Sequence, residues 1–208
     1  MSTSRLEAFS DGVIAVAITL LVLNIAVPKH EQHLADALGH QWPVYAAYAI
    51  SFITIGIIWI NHHVMIGRLR QTDHLILILN LLLLMTIGLL PFATDLMASY
   101  LKRGSGQHLA AAIYAGAFLL MSIAFATLNA HILLRKAHMH RDQRSLAERR
   151  RILARSLTGL VPYAIATGLA AVSQYATLAI CAAIAVYYAL PIGSGGTARP
   201  LDGDSPVG

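Results

Sequence analysis

Uninterrupted apolar stretches of roughly 20 residues constrain this chain more than anything else in it. A bilayer span needs about 20 mostly apolar residues, with a range of roughly 17–25. Six stretches meet or approach that requirement: Phe9–Val27, Pro43–Ile66, Leu75–Leu96, Leu109–Leu134, Ile152–Val172 and Tyr175–Leu190. Pro28 stops the first, and Pro43 suits the start of the second. Only Ser173 and Gln174 separate the last two, so these must be antiparallel neighbours. Charged residues make up 12% of the chain against a usual share of roughly 25%. A soluble fold of 208 residues has too little polar surface to cover a composition that is 57% hydrophobic, whereas lipid accepts it directly. The expectation is an all-α integral membrane protein of six transmembrane helices. Its domain covers 1–192, and the Gly-, Pro-, Ser- and Asp-rich tail 193–208 reads as disordered. The first stretch reads as a retained span rather than a cleaved signal peptide, because Glu7 and Asp11 sit where such peptides avoid acids.

Lys and Arg set the orientation. With the N-terminus in the cytoplasm, 12 of the 15 basic residues lie inside, and only Lys29, Lys102 and Arg103 lie outside. Both termini are therefore expected to be cytoplasmic, together with the loop from Arg135 to Arg155 and its eight basic residues. That loop suits anionic lipid head groups. It is too short to offer a nucleic-acid reading surface, so no nucleic-acid partner is expected.

Polar residues at membrane depth cost free energy unless partnered, which makes them the informative ones. Arg5, Ser10 and Asp11 open the first span, while Trp59, Asn61, His62 and His63 close the second. In antiparallel helices these clusters share the cytoplasmic level. They form either a network tying the two helices together or a set of separate interfacial caps. His62 and His63 point about 100° apart on a helix and do not readily bind one ion together. His131 stands alone, and His30 and His33 lie in an outer loop, so no metal or other cofactor is expected. Pro91 predicts a kink in the third span. The single cysteine, Cys181, excludes an internal disulfide. On the first helix, Val16, Leu20 and Leu23 are spaced four and three apart and share a narrow stripe, with Thr19 beside it and Asp11 roughly opposite. Such a stripe also suits an ordinary lipid-facing or packing surface.

The segment Arg5-x-x-x-Phe9-Ser10-Asp11 and the apolar run after it resemble the signature of the transmembrane protein 175 family of potassium channels, in its prokaryotic branch. Trp59, Asn61-His62-His63 and Pro91-Phe92-x-Thr94 are similar to that family as well. The resemblance implies one six-helix unit per chain, homo-tetramers in the lipid bilayer, and potassium ions as the permeant species. It implies a pore lined by the first helix, an apolar constriction at Val16, Leu20 and Leu23, and a selectivity-modulating Thr19. It also implies a structural polar network of Arg5, Phe9, Ser10 and Asp11 with Trp59, Asn61, His62 and His63. No Thr-Val-Gly-Tyr-Gly filter occurs. Val16 departs from the isoleucine frequent at the narrowest family position. An apolar ring excludes ions by dewetting, because a cation loses hydration there and gains no ligand. Localisation in a prokaryotic plasma membrane follows. The competing reading is a secondary or proton-coupled transporter in which Asp11, His62 or His63 titrates. No Ser/His/Asp set or metal-spaced cluster converges at one depth, so an enzyme is not expected.

Overall fold

The computed structural model describes residues 3–28, 33–69, 71–135, 152–154 and 156–190. Every regular element among them is helical: α1 (Thr3–Leu20), α2 (Leu34–His40), α3 (Trp42–Gly67), α4 (His74–Gly88), α5 (Leu90–Tyr100), α6 (Gln107–Ala130), α7 (Leu160–Leu169) and α8 (Gln174–Ala189). Four continuous or nearly continuous helical segments are long and apolar enough to cross a membrane: Thr3–Asn24, Trp42–Gly67, His74–Tyr100 and Gln107–Leu134. α7 and α8 are shorter apolar helices of 10 and 16 residues. The central part of the loop from Arg135 to Arg155, residues 136–151, and the tail 193–208 lie outside the described residues.

Local sequence explains the boundaries. α1 begins at Thr3, six residues before the apolar run, because helix geometry does not depend on the residues being apolar. The chain tightens into a 3₁₀ turn over Leu21–Asn24 before Pro28. α2 is a short exposed helix in the loop between the first two spans. Asp73 caps α4 by accepting from the Ile76 N–H at 2.8 Å. The third span breaks at Leu89, two residues ahead of Pro91. Proline carries no N–H, so the Ile87 carbonyl loses its intrahelical donor, and the ring crowds the preceding turn. Between α5 and α6 the backbone reverses through Gly104 and Gly106 with φ of 73° and 77°. At Gly106 an added Cβ would also meet the Tyr100 ring at 2.9 Å, so glycine is required there twice over. Ser173 lies in the short turn between α7 and α8 and caps α8 by accepting from the Ala176 N–H at 3.2 Å, so that Gln174 is already helical.

α6 is the hub, packing against α4, α5, α7 and α8. Tyr114, Phe118 and Met121 on it are fully buried. Tyr114 meets Phe118 edge-on at 4.8 Å, and Phe118 stacks on Tyr163 of α7 at 5.5 Å. Cys181 of α8 is fully buried in the same core. A small polar cluster crosses it. Thr94 of α5 donates to the Leu90 carbonyl at 2.7 Å, so its oxygen accepts from Ser51 of α3 at 2.8 Å. The Tyr114 hydroxyl lies 3.2 Å from Ser51. α1 packs on α3 and α4 at one side of this bundle. Of its most apolar stretch only 28% is buried, against 44% for α6, so α1 is the least covered of the four long helices.

Candidate functional site

α1 presents two unlike faces. Its inward face at the cytoplasmic-end level predicted from the charge distribution carries a polar ladder. Ser10 is buried; its hydroxyl donates to the Leu6 carbonyl at 2.8 Å and accepts from the Asn80 amide nitrogen of α4 at 3.0 Å. The Asn80 amide oxygen then faces Nε2 of His62 at 2.7 Å, so His62 donates from Nε2. His62 is fully buried, and its Nδ1 has no hydrogen-bond partner among the described residues. Beside this buried rung are two more open ones. The Trp59 indole N–H donates to Asp11 Oδ1 at 2.8 Å, and His63 Nδ1 lies 2.8 Å from Glu7 Oε1. Glu7 to Asp11 and Trp59 to His63 are both steps of four residues, taken in opposite chain directions, as antiparallel helices require.

The ladder brings together Ser10, Asp11, Trp59, His62 and His63. It does not take in Arg5, Phe9 or Asn61. Arg5 and Phe9 are exposed, with no hydrogen bond or ion pair among the described contacts, and the Asn61 amide donates to the Ile57 carbonyl of its own helix at 2.8 Å. Spacing explains the first two. Arg5, Phe9, Gly12 and Val16 are separated by four, three and four residues, which puts Arg5 and Phe9 on the face opposite the ladder. Two members escaped the sequence reading of the network, Glu7 and Asn80. Asn80 is the lone amide in the run Leu-Ile-Leu-Ile-Leu-Asn-Leu-Leu-Leu-Leu, and a buried amide there must find a partner on another helix. The Asp11–Trp59 pair is also more exposed than a fully buried network implies, because none of the described residues covers that flank of α1 and α3.

The outward face is apolar and bare. Phe9, Gly12, Val16, Thr19, Leu20 and Leu23 are all exposed, Val16 by 57% and Leu23 by 72%. A shallow groove of about 570 Å³ runs along it, with Phe9, Val16 and Leu20 on one side and Gly88 on the other. The Thr19 hydroxyl donates to the Val16 carbonyl at 2.9 Å. Its proton is thereby engaged within α1, and what it turns outward is the oxygen lone pairs. Val22 is 49% exposed as well, because the 3₁₀ turn advances by about 120° per residue and swings it outward. Ile18 does point away and packs, half-buried, against the core.

Residues 5–91 match a family profile described as "Endosomal/lysosomal potassium channel TMEM175". The chain is 42% identical over 188 residues to a potassium channel of Streptomyces collinus, an alignment covering 89% of this chain and 91% of the relative. The chain belongs to the TMEM175 family. A potassium channel of Chamaesiphon minutus is 38% identical over 198 residues, covering 90% of this chain and 94% of the relative. The crystal structure of a lysosomal potassium-selective channel TMEM175 homolog from Chamaesiphon minutus superposes with a TM-score of 0.80 at 37% identity, over 90% of this chain and 96% of that one. The stretch matched to the TMEM175 profile runs from Arg5 to Pro91, so it takes in both faces of α1 and every residue of the ladder. The TMEM175 family is one of ion channels and not of enzymes.

Proposed function

We propose that the chain is a subunit of a potassium-permeable channel in which α1 lines the pore. The observation that carries this reading is the division of α1 into a face bonded and packed to its own bundle and an apolar face that the described residues leave uncovered. Relatives named potassium channels, aligned over nine-tenths of the chain, supply the ion. Four copies bring four α1 helices around one axis. Val16, Leu20 and Leu23 then form stacked apolar rings, with Val16 the tightest, which exclude ions by dewetting until they widen. Thr19 lies between the rings and offers four oxygen lone-pair sets toward the axis, enough to bias the choice of cation. The ladder of Ser10, Asp11, Trp59, His62 and His63, with Glu7 and Asn80, holds α1 at the angle this requires.

In this reading the chain crosses the bilayer six times with both termini cytoplasmic. α7 and α8 belong to the fifth and sixth crossings, and the basic residues between 135 and 155 meet the inner leaflet. Potassium ions are the permeant species and no cofactor takes part. A bacterial plasma membrane is the location that the bacterial relatives favour.

Potassium flux through the purified chain in liposomes tests the proposal, read together with planar-bilayer recordings. Unitary current steps that favour potassium over sodium are the expected result. Flux that needs proton exchange, without unitary steps, would replace the channel with a proton-coupled carrier working through Asp11, His62 or His63.

A further inference from the structure

The two ends of α1 are held very differently. Near its start the polar ladder fixes it to α3 and α4. Its far end has neither a capping side chain nor a basic residue in the last turn. The terminal 3₁₀ turn, Leu21–Asn24, packs on α3 and α5 through the fully buried Leu21, and the chain leaves it in extended conformation at Ile25. Among the described residues, one long-range hydrogen bond is made from this end: the Asn24 amide nitrogen donates to the Pro91 carbonyl at 3.3 Å. Pro91 is also the residue that breaks the third span, so Asn24 is bonded to the bend itself, at the first turn of α5.

We propose that Asn24 is a positioning residue of the conduction path, whose bond to Pro91 fixes the far end of α1 and so the closure of the Leu20 and Leu23 rings. The inference rests on the channel reading above. Leu23 lies 12 residues beyond Asp11, about 18 Å at 1.5 Å per residue, so tilting α1 by about 5° about the ladder moves it by about 1.5 Å. That displacement is comparable to a methyl group, which is the scale on which an apolar constriction wets or dries. A single amide bond at the end of such a lever therefore acts on the pore rather than only on the fold. The bend in α4–α5 and the far end of α1 become one mechanical unit, and any stimulus that straightens the third span reaches the rings through Asn24.

The test is single-channel recording of the purified chain in planar bilayers with Asn24→Asp, Asn24→Gln, Pro91→Ala and the double variant Asn24→Asp/Pro91→Ala. Aspartate matches asparagine in shape but offers no donor to a carbonyl. Asn24→Asp should raise basal open probability about threefold to tenfold, the range set by losing one modest hydrogen bond. Asn24→Gln keeps the amide donor and should restore most of the closure. Pro91→Ala lets the helix straighten and displaces the carbonyl, so it should raise open probability in the same direction. The double variant should be no leakier than the leakier single, because both changes break one interaction. A merely structural bond would lower the melting temperature and leave open probability alone; that outcome, or additive effects in the double variant, overturns the inference. Should Asn24→Asp fail to assemble, Asn24→Leu removes the same donor without adding a charge, and an unchanged open probability there is equally fatal. A conducting wild type with unchanged variants defeats this inference alone, whereas a wild type that carries no potassium current defeats the channel reading as well.

Discussion

Both faces of α1 pass through the same 18 residues, yet they answer to different masters. The inward face is buried by α3 and α4, and its polar groups are satisfied within the chain. The outward face is as apolar as any core, but none of the described residues covers it. Buried polar groups hold a helix in place because stranding one is expensive, while an uncovered apolar stripe is shaped for something outside the chain. Substitutions on the first face should therefore read out as stability, and those on the second as conduction.

Asn80→Leu attacks the comparison hardest. It strands the buried His62 Nε2–H, at about 1–3 kcal/mol, and takes from the Ser10 oxygen the amide it accepts from, while the Ser10 proton stays on the Leu6 carbonyl. Thermal melts of the detergent-solubilised protein should show the largest loss of any single change considered, and residual assembled protein should conduct with unaltered selectivity. A stable Asn80→Leu variant with altered permeability ratios would mean that the ladder serves the pore directly.

Next come changes at Val16. Val16→Phe should suppress current while the oligomer and its melting temperature stay as they were. Val16→Ala should raise basal current and lower the preference for potassium. Ile18→Ala, on the packed side of the same helix, should do the reverse, costing about 1–2 kcal/mol of stability with little change in current. Equal effects of Val16→Ala and Ile18→Ala on conductance would erase the distinction between the two faces.

Asp11→Ala should be milder than Asn80→Leu, at about 1 kcal/mol, because the Trp59 N–H it strands is partly exposed and finds other partners. Arg5→Ala should change stability less still. Thermal melts in detergent should rank the two. Smallest of all is Tyr114→Phe, which removes one hydroxyl while Thr94 still partners Ser51, at about 0.5–1 kcal/mol.

What the sequence revealed depended on whether a residue's partner could be inferred from position along the chain. Asp11 and Trp59 were legible as neighbours because antiparallel spans put them at one level, and charge or an indole N–H at that level calls for a partner. The stripe of Val16, Leu20 and Leu23 was legible because spacing alone defines a helix face. The same spacing, extended to Arg5 and Phe9, assigns them to that face and not to the ladder; motif proximity to Ser10 and Asp11 had grouped them otherwise. Asn80 needed knowledge of how the third span sits against the first, which chain order does not carry. The Ser51–Thr94–Tyr114 cluster was not legible at all. Serine and threonine hydroxyls satisfy themselves on their own helix, as Thr54 does on the Ile50 carbonyl, so their presence in a span announces no crossing bond.

Cys181 gives the molecule a clock of its own. It is the chain's one thiol and lies fully buried on α8, within the core that α6 organises. A thiol reagent can reach it only when the bundle opens, so the rate of modification at excess reagent counts opening events without any probe being added. Because its helix packs on α3, α6 and α7, the reporter separates global loosening from motion of α1. A variant that leaks ions while Cys181 stays protected has changed its gate; one that leaks while Cys181 reacts faster has come apart.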